Sequence, residues 1–356
     1  TIAVNVGDNS GSPIANGDVG IQCGNGTIYA DNFAILKYNE GAVSTTWTPS
    51  RLTNKDTDGE TTLWLKADSG IVTENDGTRD RVTTWTDAAT VISTALGRDY
   101  TFTGTAQTGT TKPRYIASAI NSKPAVRFVA TEHSWVGAAY NSVYDTTPAP
   151  QTYTFAIFAV VKYHTVNDIG DALNSTSGAN DFVAPIWSQG RDIVIRIQQD
   201  KGDTSTFTDG PVELEFHNSS NSVTTGTNVQ VINPNSTTDW RILGITSGNT
   251  ADDTRGFFNQ GTRVADVNYL PTGVDVSGNP QVRIGKRPLT PTETNAYGNF
   301  DIAEFIWVKV KRATNCPLAT RQKIEGYLAW KYNLEGSLPA DHPYKLSLIH
   351  ISEPTR

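Results

Sequence analysis

The run Glu213-Leu214-Glu215-Phe216-His217 sets two carboxylates and an imidazole at alternate positions. Successive side chains of an extended strand point to opposite faces, so Glu213, Glu215 and His217 share one face, with Leu214 and Phe216 opposite. Paired carboxylates beside an imidazole can do acid–base work; the same set can contact a glycan or a cation, or be an ordinary exposed strand face. A second concentration of oxygen donors is the loop Glu74-Asn75-Asp76-Gly77-Thr78-Arg79-Asp80. Hard cations want several oxygens, which makes Glu74, Asp76 and Asp80 candidate ligands for calcium. The loop lacks the spacing and closing Glu of an EF-hand, and a plain β-turn accounts for it as well. Trp135, Tyr140 and Trp187 stand beside polar segments, where an aromatic face can stack on a pyranose ring. They are the candidate glycan contacts. The five histidines show no metal-ligand spacing, and no GxSxG elbow, HExxH, CxxC or phosphate-cradling glycine loop occurs. No cofactor is required by these residues, and calcium is the one candidate.

Groups of this kind need a rigid scaffold, and strand-sized runs recur along the chain between turn clusters. They fall at 63–66, 81–85, 125–129, 152–163, 193–198, 212–217, 240–246, 256–259, 281–285 and 302–309. Ten short strands without helices between them predict an all-β sandwich. In 302–309, strict alternation puts Ile302, Glu304, Ile306 and Val308 on one face and Ala303, Phe305, Trp307 and Lys309 on the other. Glu304 is then expected to pair with an Arg or to cap a loop. One helix is predicted, opening after Asn315 or Cys316 with Pro317 in its first turn. Leu318, Ile324, Tyr327 and Leu328 line its packed face; it closes near Asn333 and plugs an edge of the sandwich. Trp64, Trp85, Trp240, Trp307 and Trp330 fall inside these elements and are assigned to the core.

Composition narrows the function classes. Lys and Arg number 29 against 36 Asp and Glu, a formal charge of −7 with pI near 5.3, which disfavours nucleic-acid phosphates and anionic lipid as partners. Charged residues are 18%, below the average of roughly 25%, while Thr, Ser, Asn and Gly are dense, as on extracellular β proteins. No stretch reaches the roughly 20 apolar residues of a spanning helix, so membrane insertion is not expected. The chain contains no Met, which suits a piece of a longer reading frame. Cys23 and Cys316 fall in different modules and are expected to be thiols. The predicted organisation is a β segment over 1–38, a polar linker over 39–60, a main domain over 61–345 and a non-native-looking tail over 346–356.

The motifs LWLKADSG (63–70), VTTWTDAAT (82–90), KPAVRF (123–128), TFAIFAVVK (154–162), VRIGKR (282–287), FDIAEFIWVKV (300–310) and RQKIEGYLAWKYNLEGSLPADHPYK (321–345) occur in this order. Together they resemble the laminin-G-like jelly-roll domains of the concanavalin A-like lectin/glucanase superfamily, as found in bacterial surface proteins and phage virion proteins. The resemblance implies an antiparallel jelly-roll sandwich with one C-terminal helix and a short N-terminal β segment, whose concave face and rim loops are available to glycan. It implies an extracellular, cell-surface or virion location, and a homo-oligomer or larger assembly fits it. Glucanases of the superfamily carry Glu-x-Asp-x-Glu on the concave face; here the order differs and His217 replaces the third carboxylate. The leading expectation is therefore a non-catalytic carbohydrate-binding or adhesion module, with glycan or protein as partner, and not an enzyme. A structural subunit of a filament, capsid or tail is the alternative, and a glycan hydrolase or lyase using Glu213, Glu215 and His217 a further one.

Overall fold

The two longest apolar runs, YTFAIFAVVKY and FDIAEFIWVKVK, have almost no polar side, a pattern suited to strands covered on both faces. The computed structural model describes residues 47–89, 101–104, 112–129, 132, 134–139, 153–164, 181–183, 187–189, 193–200, 212–217, 223–229, 239–248, 255–265, 281–285, 300–311 and 313–345. The chain divides into Thr1–Glu40 and Gly41–Arg356. The first unit, with the β segment expected over 1–38, lies outside the described residues, as does the tail over 346–356.

Nineteen strands occur among the described residues. The first nine are β1 (Thr53–Asn54), β2 (Gly59–Lys66), β3 (Ile71–Asn75), β4 (Asp80–Thr86), β5 (Thr101–Gly104), β6 (Arg114–Ile120), β7 (Lys123–Phe128), β8 (Val136–Ala139) and β9 (Tyr153–Tyr163). Then come β10 (Asp181–Val183), β11 (Trp187–Gln189), β12 (Ile193–Asp200), β13 (Val212–His217), β14 (Val223–Val229) and β15 (Arg241–Thr246). The last are β16 (Gly256–Asn259), β17 (Thr262–Ala265), β18 (Gln281–Ile284) and β19 (Phe300–Lys311), followed by helix α1 (Leu318–Tyr332). Every pairing is antiparallel. A first sheet runs β1–β2–β19–β9–β15–β16–β17. A second runs β3–β4–β5–β8–β18–β11–β12–β13–β14, with β10 beside β12. The β6–β7 hairpin joins them, since β7 pairs with the start of β19 and β6 with β4. Its turn residues Asn121 and Ser122 sit at φ 45° and 62°, the left-handed pair that matches the twist of a two-residue hairpin. The chain is thus an all-β antiparallel sandwich with one helix near its C-terminal end.

The first sheet separates two cores. Phe155, Ile157, Ala159 and Val161 of β9 meet Val82, Trp85, Val136 and Ile284 of the second sheet. Ala156, Phe158 and Val160 of the same strand face helix α1, against Ile324, Leu328, Ala329 and Tyr332. Strict alternation fails in β19, where a bulge between Ile302 and Glu304 shifts the register against β9. Phe300 and Ile302 then share the inter-sheet core with Phe305 and Trp307, while Ala303 joins Ile306 and Val308 on the helix side. Ile302 is therefore not on the face expected from its parity. An inserted residue rotates all that follows it, and composition carries no mark of it.

Helix α1 lies across the outer face of the first sheet rather than plugging an edge. Pro317 caps its start and Asn333, left-handed at φ 55°, ends it. Leu318, expected on the packed face, is 45% exposed. The segment 338–345 folds back over the helix as a strap: Trp330 Nε1 donates to the Tyr344 carbonyl at 2.8 Å. Gly326 lies under Tyr344, so close that a Cβ there would meet the Tyr344 Cβ at 2.5 Å. Residues 47–60, part of the expected linker, also build onto this layer. Thr61 Oγ1 donates to the Pro49 carbonyl at 2.6 Å, and Leu52 enters the helix-side core. Trp47 packs there as well, edge-on to Tyr327 with ring centroids 6.1 Å apart. Cys316 is a free thiol, fully buried, and burial pushes it up to about 12.

Glu304 points into the helix-side layer at 0% exposure. Its carboxylate accepts from Trp64 Nε1 at 2.5 Å, Lys331 Nζ at 2.7 Å and Tyr332 Oη at 2.9 Å. The cation is a helix lysine, not the expected arginine, and Lys331 also reaches Asp68 at 2.9 Å. Two outcomes follow from this packing. Lys331→Met strands a buried carboxylate and should cost about 3–5 kcal/mol in urea unfolding. Gly326→Ala should cost about 1–3 kcal/mol by overpacking, whereas Gly336→Ala, with nothing within 4 Å, should be near neutral.

Candidate binding surface

With both faces of the first sheet covered, the open sheet surface is the outer face of the second. Among the described residues no helix or strand is stacked on it, and Val72 stands there 57% exposed. Residues directly opposite in an antiparallel ladder share a face, so the register traces one row across the sheet. The row passes from Val72 through Thr84, Thr103 and Gly137 to Arg283, Ser188, Val194, Glu215 and Thr225. Glu213 stands opposite Arg196 in the next row. The strand expected at 212–217 is therefore present, with positions 213, 215 and 217 on the open face. The side chains of Glu213, Glu215 and His217 lie outside the described residues. Arg196 and Arg283, which the sequence reading did not place with them, share this face by register. The alternation in IVIRIQQD and QVRIG is the signal that could have found them.

Of the expected stacking residues, two are placed, and neither falls on this row. Trp135 is 5% exposed, so its ring belongs to the interior and not to an open platform. Position 187 pairs with Ile195, and by register shares a face with 189, 282 and 138, the face that lines the inter-sheet core. Tyr140 lies outside the described residues. A polar neighbourhood in sequence does not say which way a ring turns.

The oxygen-donor loop closes the β3–β4 hairpin at the rim, and its carboxylates do not converge. Glu74 pairs with Lys112 Nζ at 2.6 Å, and Asp80 accepts from Asn75 Nδ2 at 2.8 Å. Asp76 Oδ1 accepts from the Thr78 and Arg79 amides, each at 2.9 Å, while Oδ2 takes Arg81 Nε at 2.6 Å. Among the described residues no group of three or more His, Cys, Asp or Glu is placed to hold a metal ion. The loop is instead part of an ionic network, unforeseen from sequence, centred on Glu132. That carboxylate accepts from Arg79 at 3.0 Å, Arg81 at 2.6 Å and Arg114. Hydrogen bonding to Arg81, then to Thr78, holds the Asp76 carboxyl well below the usual range. Burial opposes the charged form of Glu132, but the Arg114 and Arg81 hydrogen bonds outweigh it and hold the carboxyl low.

No known family model matches the chain, and no curated protein sequence does. Among solved structures, Trypanosoma rangeli sialidase aligns at 10% identity over 76% of this chain and 32% of its own, with TM-score 0.37. The botulinum neurotoxin serotype G binding domain aligns at 14% identity over 76% of this chain and 51% of its own, with TM-score 0.34. The chain thus spans about a third of the length of the sialidase chains. Sialidases, which are glycoside hydrolases, stand among these structural neighbours, against the expectation of a non-enzymatic chain, which is withdrawn; at 10% identity and TM-score 0.37 the likeness assigns this chain no activity. No reaction or catalytic residue follows from a likeness of this extent.

Both depressed carboxylates stabilise the folded state above their ordinary titration range, and that contribution is lost as pH falls through their lowered values. Stability should therefore decline on acidification below about pH 4. Glu132→Gln should flatten part of this slope and cost about 1–2 kcal/mol at pH 7, discounted for partial exposure. Urea unfolding across pH 2–7 reads both. An unchanged slope in the variant counts against the network.

Proposed function

We propose that this chain is a carbohydrate-recognition module of the concanavalin A-like jelly-roll type, part of a cell-surface or virion protein. Glycan would lie on the outer face of the second sheet and its rim. The observation that carries the reading is the double coverage of the first sheet: the inter-sheet core takes one face and helix α1 the other. The remaining sheet surface holds a ladder-fixed row of mostly polar positions interrupted by Val72 and Val194, with Arg196 opposite Glu213 and Glu215 opposite Val194. Glutamate and arginine positions at ladder spacing suit recognition of sugar hydroxyls by charged hydrogen bonds.

A glycan array probed with the full chain tests this. Saturable binding to a defined glycan is expected, weakened at least about tenfold by Glu215→Ala or Arg196→Ala through loss of a charged hydrogen bond. Trp135→Phe, inside the fold, should leave affinity within about twofold. Because Asp76 is already engaged by Arg81 and two amides, binding should persist in chelator. Absence of binding to every glycan, or indifference to both outer-face substitutions, would overturn the proposal.

A further inference from the structure

The strap over helix α1 is fastened by an imidazole. His342 is 7% exposed, with Nε2 3.1 Å from Glu325 Oε2 and Nδ1 3.3 Å from the Tyr344 backbone nitrogen. A backbone N–H can only donate, so Nδ1 is the acceptor and the ring proton is assigned to Nε2, which donates to Glu325. Glu325, at 0% exposure, also receives Arg321 Nη1 at 2.9 and 3.0 Å on its two oxygens. Arg321 in turn donates to the Gly261 carbonyl at 3.3 Å and lies 4.0 Å from the Phe258 ring centroid. One carboxylate and one guanidinium therefore face each other, and the imidazole completes the set with a donor at Nε2 and an acceptor at Nδ1.

Every element packed here contributes to the environment of that ring. Helix α1 supplies Arg321 and Glu325, and Cys316 precedes the helix with a buried thiol. The turn between β16 and β17 brings the Gly261 backbone against the His342 ring edge. The strap itself carries exposed Asp341, then Tyr344, which is buried and whose phenol burial raises, and Lys345, whose Nζ donates to the Gly336 carbonyl at 3.0 Å. A proton added at Nδ1 would face the Tyr344 N–H, donor against donor. It would also place a second cation beside a carboxylate whose charge is already matched, in a site closed to water.

We propose that His342 is a proton-operated latch: protonation at Nδ1 releases the strap 338–345 from helix α1 while both sheets stay folded. Release bares the outer side of the helix from Gly326 to Trp330, which Tyr344 otherwise covers.

Amide hydrogen exchange on the full chain at pH 7.5 and 5.0, each corrected for intrinsic rate, tests this. The Tyr344 amide and its strap neighbours should lose about tenfold in protection at the lower pH, while β9 and β19 keep theirs. His342→Gln retains a donor for Glu325 but does not titrate, and its strap protection should be the same at both values. Equal wild-type protection at both pH values, or the same loss in His342→Gln, overturns the latch. Should that variant not fold, the imidazole ¹⁵N shifts of wild-type His342 decide. Protonation coincident with strap opening supports the latch, and a ring that protonates under a closed strap overturns it.

Discussion

The antiparallel pairing of β9 with β19, eleven facing pairs from Phe300–Tyr163 to Lys311–Tyr153, is the contact on which the other layers depend. Neither strand has a solvent face over most of its length, so each needs an apolar partner on both sides. The second sheet supplies one; α1 and its strap supply the other. The helix is therefore no appendage. Without it, Phe158, Val160, Ile306 and Val308 would face water, a loss of about 1.5–3 kcal/mol for each large side chain. The bulge at Ile302–Glu304 belongs to the same constraint, since it lets the two ends of β19 present apolar residues to both cores although its sequence does not alternate evenly.

Glu304 is the exception in that apolar layer, and it is held by direct partners. A buried carboxylate is costly unless paired and hydrogen-bonded. Lys331 matches its charge, while Trp64 and Tyr332 occupy further lone pairs. Burial first, and then the Glu304 charge, push the Tyr332 and Tyr327 phenols up, so both remain donors. Such a set adds little net stability compared with an apolar substitute, but it admits one placement of the helix. A shift of α1 by a turn would separate Lys331 and Tyr332 from the carboxylate. Directionality is what the polar group adds to a layer whose other contacts are nondirectional.

Much of this architecture was legible in the sequence, for identifiable reasons. The sandwich follows from strand-sized apolar runs; in the run 63–66, Leu63 and Leu65 enter the inter-sheet core and Trp64 the helix-side core. The helix was visible through Pro317, which stands just before its first turn rather than within it, and through Asn333, because end signals are local chemistry. The coda LPADHPY acquires a physical account: His342 meets Glu325 and Tyr344 covers Gly326, contacts between residues about 17 apart along the chain. What depended on distant partners was hidden. Nothing near Glu132 announces Arg79, Arg81 and Arg114, which come from a hairpin and a strand brought together by the sheet junction. The bulge and the burial of Trp135 were hidden likewise, since both are decided by packing across layers rather than by local composition.

The two sheets divide the work. The first is fixed on both sides and can change little without disturbing a core; among the described residues the second is packed on its inner face alone, which leaves its outer positions to other demands. Charged positions occur there in ladder-defined order, and their spacing is only as firm as the ladder. The junction that steadies it is the rim where Glu132 gathers Arg81 of β4 and Arg114 of β6. Residue 132 lies four positions before β8, which pairs with β18 and so sets the position of Arg283. Loosening the ionic network would therefore be felt at β8, whose Val136 and Ala138 stand in the inter-sheet core, and through its pairing with β18 in the row that contains Arg283 and Glu215. The network reads best as the mount of that face: a rim interaction that keeps the open sheet in register with the covered one.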